Sequence, residues 1–175
     1  MPYDQEHRAP IESLHLLDPD LAATVHRQLE RFEPVVSAAV VALLVDDIFW
    51  GLTREISFGQ AIAAGYLQLM TRVEYGVLEN YHRLVRAAGA RGTTIGRLMA
   101  IHLAPVLIVG DRDLLQLFTE AVGVMESQGI YTLTRPLEAL SQLLNRGERS
   151  AAAMFLKLLS VAFGMDLSYN QCQHL

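Results

Sequence analysis

The chain has 175 residues, 51% hydrophobic and 19% charged, which excludes an extended disordered protein and suits a single helical domain over 1–175. Its net charge of -5 excludes generic nucleic-acid binding, which depends on clustered Lys and Arg. A lone cysteine, Cys172, excludes an intrachain disulfide and a cysteine-rich zinc site.

The start, Met1 to Arg8, lacks the basic and apolar regions of a signal peptide. The longest apolar run, Val35 to Val45, is too short to span a bilayer. A cytoplasmic protein with no membrane contact is expected.

Residues 1–17 read as an extended N-terminal arm that packs through Ile11, Leu14, Leu16 and Leu17. The first clear helix signal is Asp18-Pro19. Asp18 can accept from exposed backbone N–H groups, and Pro19 suits a first helical position. Leu21, Val25, Gln28, Leu29 and Phe32 fall on one side, with His26, Arg27, Glu30 and Arg31 outward, and Pro34 ends the helix. The segment from Val35 to about Trp50 is apolar nearly all round, the pattern of a central, surrounded helix. Ser57-Phe58-Gly59-Gln60 fits a capping box, with Ile56 and Ala61 as its hydrophobic staple. Helix then extends towards Ala88, with one interruption expected near residues 70–73.

Beyond that point the helices are separated by glycine-marked breaks at Gly89–Gly92, Gly110, Gly129 and Gly147. Val77, Tyr81, Leu84 and Ala88 share a face in the first. Thr94 caps the second, which Pro105 should kink. Leu114, Phe118, Ala121 and Met125 align in the third, and Leu133, Leu137, Leu140 and Leu144 in the fourth. The fifth, capped by Ser150 and closed by Gly164, aligns Ala151, Phe155, Leu158 and Ala162. Met70, Met99, Met125, Met154 and Met165 read as core filler.

No strand-like alternation survives, so the fold class is all-α. Two helices and their breaks span roughly 35–40 residues, the period of HEAT-like hairpin repeats. Stacked antiparallel hairpins in an α-solenoid are the favoured arrangement, and an irregular closed bundle is the alternative. Ser168 to Leu175 reads as the opening of a further helix, which suits a piece of a longer protein.

Candidate chemistry is sparse. Glu12-Ser-Leu-His15 and Glu79-Asn-Tyr-His82 match the Glu-x-x-His spacing of di-metal bundles, with Asp46, Asp47 and Glu74 as further carboxylates. Glu79 also stands four residues before Arg83, the spacing of a surface ion pair, which leaves Glu79 and His82 as weak metal candidates. Asp46 and Asp47, at the end of the most apolar segment, are either a functional carboxylate pair or surface groups near Arg54. His102, among Met99, Leu103 and Val106, reads as a packing histidine. Arg83, Arg86 and Arg91 read as a solvated helix end. Gly89 to Thr94 lacks the lysine and spacing of a phosphate loop and reads as a helix–helix turn. The charged break residues Arg91, Arg112, Asp113, Arg146, Glu148 and Arg149 are the partner-binding candidates.

Arg86 to Thr94, Thr132 to Leu140 and Asn145 to Ala152 together resemble bacterial helical-repeat regions that precede a von Willebrand factor A domain, in proteins of the nitric-oxide-reductase-activation type. The resemblance covers residues 71–172 and rests on Ala/Leu-rich text. It implies a scaffold whose partner is an AAA-type ATPase or a downstream domain. That family's metal site lies in the downstream domain, and the chain has no Asp-x-Ser-x-Ser motif, so metal binding does not carry over.

The expected function is a non-catalytic helical-repeat scaffold mediating protein–protein interaction, with no cofactor. A homodimer through an exposed apolar C-terminal end is one form this can take. Two alternatives stand beside it: a helical bundle sensing a small apolar ligand, and a helical metal-site enzyme.

Overall fold

The computed structural model describes residues 8–32, 37–70, 74–129 and 132–172. Among them are nine helices and no strand. These are α1 (Arg8–Leu17), α2 (Pro19–Phe32), α3 (Ala38–Leu52), α4 (Ile56–Leu69), α5 (Tyr75–Arg91), α6 (Thr93–Val109), α7 (Arg112–Gln128), α8 (Thr134–Asn145) and α9 (Arg149–Cys172). They form two compact units, residues 1–104 and 105–175. The boundary falls inside α6 at Pro105, a residue with no N–H to donate to the helical ladder.

In the first unit, α3 packs against α1, α4 and α5, but it is not surrounded as expected, because Ala38, Ala42, Asp46 and Phe49 are exposed along one side. Ser37 caps it, and Val41, Leu44 and Ile48 are fully buried. The short turn at 53–55 returns the chain as α4, antiparallel to α3. Glycine permits the close approach of this pair. A Cβ on Gly59 would lie 2.7 Å from the Leu52 backbone nitrogen, and one on Gly51 would lie 2.9 Å from the Gly59 Cα. The α5–α6 hairpin uses the same device, with a Cβ on Gly96 falling 2.7 Å from the Gly89 Cα. Gly89 is therefore a packing residue inside α5, and the turn comes at Gly92.

In the second unit, α9 packs against α7 and α8. The expected lines Leu114, Phe118, Ala121, Met125 and Leu133, Leu137, Leu140, Leu144 are all buried. Gly110, Gly129 and Gly147 have φ of 69°, 124° and 77°, the left-handed region where glycine alone is unstrained.

Several expectations are corrected. Arg8–Leu17 is helical rather than extended, and Leu14 is fully buried while Leu16 is exposed. The capping box does not form. Glu55 takes the N-cap position, Gln60 donates to Asp18 instead, and Ile56 is 58% exposed. Thr94 lies inside a helix that starts at Thr93. The first expected face after residue 71 is displaced: Leu78, Tyr81, Val85 and Ala88 are buried, whereas Val77 and Leu84 are only half-buried. Ser150 lies inside α9, and Gly164 does not close that helix, which continues to Cys172. Among its described side chains Ala152 and Leu156 are buried, whereas Leu158 is 61% exposed and Met154 is no core filler at 65%.

Asp18 does cap α2 through the Leu21 N–H, and the break expected near 70–73 corresponds to α4 ending at Leu69 and α5 starting at Tyr75. Residues 1–7, Pro34, Thr71 and 173–175 lie outside the described residues, as do the side chains of Phe32, Met165 and Cys172.

Candidate functional site

The densest polar cluster sits where α3, α4 and α5 meet. Asp46 and Asp47 are adjacent on α3, so helical geometry points them about 100° apart, and their surroundings differ sharply. Asp47 is buried to 1% exposure, whereas the Asp46 side chain is 72% exposed.

Three side chains converge on the Asp47 carboxylate. Tyr66 of α4 donates its hydroxyl to Oδ2. His82 of α5 brings Nδ1 to 2.9 Å from Oδ2 and 3.0 Å from Oδ1. Arg86, one turn further along α5, donates Nε to Oδ1 and Nη2 to Asp46. A carboxylate only accepts, so His82 carries a proton on Nδ1 and donates it to Asp47. Burial, and after it the Asp47 charge, pushes the Tyr66 phenol far above its ordinary range, so it stays a donor.

Aromatic groups wall this cluster. Tyr66 meets Tyr81 edge-on with ring centroids 4.8 Å apart, and Tyr81 donates to the Ala100 carbonyl at 2.9 Å. Burial raises the Tyr81 phenol as well. Gly65 is what leaves room for it, since a Cβ there would fall 1.9 Å from the Tyr81 hydroxyl. Trp50 lies against two guanidinium groups, Arg54 at 4.1 Å and Arg86 at 4.3 Å from the ring centroid. It also meets Phe58 edge-on at 5.4 Å.

A second set ties the α3–α4 turn to α6. Arg97 donates to Glu55 at 3.0 Å and to Ser57 at 2.9 Å, and Ser57 donates to Glu55. The hydrogen bond from Ser57, followed by one from Thr93, holds the Glu55 carboxyl below its usual range.

The two carboxylates proposed from sequence thus separate. Asp47 is a buried junction of three helices and Asp46 an exposed companion to Arg86. Arg54 bonds neither of them. Arg86 is not part of a solvated helix end, because its head group is committed to both carboxylates and to Trp50. His82 serves Asp47, while Glu79 is exposed and Arg83 donates to Asn80 rather than pairing with it. No group of three or more His, Cys, Asp or Glu among the described residues is placed to hold a metal. His102 is buried at 6%. Sequence reasoning missed Tyr66, Trp50 and the role of Arg86. The usable signal was His82 and Arg86 at i,i+4, which puts two cation-forming side chains on one face of α5.

The tip residues Arg91, Arg112, Asp113, Arg146, Glu148 and Arg149 are all exposed. Arg146 and Glu148 approach to 4.0 Å, and Arg91 donates to the Ala87 carbonyl. A feature of another kind lies on α9. Met154, Leu158 and Val161 are 65%, 61% and 57% exposed and follow a four-then-three spacing, which aligns them along one side of the helix. Ala151 and Ala162 extend the stripe in both directions and are exposed too. Ala152 and Leu156, fully buried, mark the opposite side.

No helix among the described residues is long and apolar enough to cross a membrane. No family model, curated protein or solved structure matches the chain.

Proposed function

We propose that the chain is a non-catalytic, cytoplasmic helical scaffold, a HEAT-like stack of antiparallel hairpins that presents the outward side of α9 to a protein partner. The exposed stripe of Met154, Leu158 and Val161 carries this reading. Between Ala151 and Ala162 the outward side of α9 is apolar as well as its packed side, and an apolar helix face is normally covered. Covering these three side chains is worth about 1–2 kcal/mol each, given their exposure. Within the first unit, the Asp47 cluster suits a structural rather than a chemical role, because its groups satisfy one another and join three helices. The sequence resemblance offers an AAA-type ATPase or a downstream domain as the candidate partner.

Photo-crosslinking residues placed at Met154, Leu158 and Val161, with Arg27 as an exposed control, test this in the native cell. We expect protein adducts at the three α9 positions and none at Arg27, with the Met154 and Val161 adducts abolished by Leu158→Glu. Absence of adducts at all three positions would refute the scaffold reading.

A further inference from the structure

Resting on that scaffold reading, we infer that the occupant of the α9 stripe is an amphipathic helix of another protein, apolar at three-four spacing and carrying Asp or Glu beside the middle of its apolar side. The stripe from Ala151 to Ala162 spans 12 residues, about 18 Å or three turns of helix, and it presents knobs at positions 151, 154, 158, 161 and 162. A partner helix with the same spacing fills the holes between such knobs.

Charge decides between a second copy and a different chain. From Ser150 to Gly164 there is one charged residue, Lys157, and it is exposed. It borders the stripe between Met154 and Val161, close to the middle of its length. An antiparallel pairing of two α9 helices that covers the whole stripe would bring both Lys157 ammonium groups to one level of a partly dehydrated seam. Like charges there repel, and the cost grows as water leaves. A helix with a carboxylate at that level converts the repulsion into an ion pair and also fixes the register. Between Ser150 and Gly164 the helix has no Asp or Glu of its own, and Glu148 before it lies beside Arg146.

Two synthetic 18-residue amphipathic helices test the inference on the full chain. Both carry leucine at three-four spacing, one with glutamate and the other with lysine at the flanking positions, and binding is read by fluorescence anisotropy. We expect the glutamate peptide to bind at least fivefold tighter than the lysine peptide, Lys157→Glu to invert that order, and Leu158→Glu to weaken both by tenfold or more. Leu158→Glu should leave the thermal melt unchanged, since the side chain it replaces is exposed. Equal binding of the two peptides, no binding of either, or a wild-type dimer in sedimentation that Leu158→Glu dissociates would each overturn the inference. Adducts at α9 in the cell without a peptide preference would end the inference and leave the scaffold reading standing. Absence of adducts would end the reading itself.

Discussion

Replacing Asp47 with Asn removes one charge and hardly changes the side-chain volume, yet it should destabilise the first unit heavily. The amide oxygen can still accept from Tyr66, but the amide nitrogen is a donor and would face the Arg86 Nε–H or the His82 Nδ1–H. Removing one partner of a buried ion pair costs about 3–5 kcal/mol. Arg86 is 25% exposed and His82 32%, so both recover some hydration, which points to the lower end, about 3 kcal/mol. Urea unfolding followed by the fluorescence of Trp50, the single tryptophan and a neighbour of Arg86, reads this unit directly. With a slope of about 2 kcal/mol per molar urea, the midpoint should fall by about 1.5 M. Asp46→Asn is the internal control. Its side chain is exposed, and its loss should cost no more than about 1 kcal/mol. A loss below about 1 kcal/mol for Asp47→Asn, or equal losses for the two variants, would refute the view that Asp47 clamps three helices.

Tyr66 and Tyr81 have folded pKa values raised above the ordinary 10.0, so their contribution is intact below pH 10 and is lost as pH rises further, where only the unfolded chain ionises. The unfolding free energy from urea melts between pH 9 and 11.5 should therefore fall in the wild type by up to about 1.4 kcal/mol per pH unit for each tyrosine, and Tyr66→Phe should remove one share. An unchanged alkaline slope in Tyr66→Phe would count against a buried phenol. The Asp18 carboxyl is lowered chiefly by the Leu21 N–H and next by Gln60, so its contribution is present above pH 3.8 and disappears as pH falls through the depressed value. Asp18→Asn keeps a competent cap and should flatten the acid limb of stability against pH below about 4 while leaving pH 7 nearly untouched. Gly96→Ala forces a Cβ against the Gly89 backbone and should cost about 1–3 kcal/mol by thermal melt. Gly123→Ala, in an open and exposed stretch of α7, should instead stabilise by about 0.5–1 kcal/mol. Matching signs for these two glycine variants would contradict the packing of α5 on α6.

Sequence was most legible where a helix is amphipathic and its ends carry turn chemistry. The cap at Asp18, the outward charges of α2 and the buried lines of α7 and α8 all follow from period and local hydrogen bonding. The same logic failed on α9, because an apolar helix offers two plausible inner sides and its neighbours α7 and α8 choose between them. It failed at Ser57 because Arg97, 40 residues away, recruits that hydroxyl together with Glu55. The candidate carboxylates were visible as a pair, but their partners were not. Arg54 is near in sequence and stacks on Trp50, whereas His82 and Arg86 stand 35 and 39 residues from Asp47 and reach it only through the packing of α3 on α5. The exposed tips were legible as charged breaks. The stripe of Met154, Leu158 and Val161 was hidden because three of its apolar residues look like core.

The most direct measurement is a paired reading on Leu158→Glu: its unfolding free energy from urea melts as purified protein, and the yield of adducts from a photo-crosslinker at Val161 in the cell. We expect an unfolding free energy within about 0.5 kcal/mol of wild type together with loss of the adducts, because the outward side of α9 serves a partner and not the fold. A destabilised variant, or undiminished adducts, would contradict that assignment.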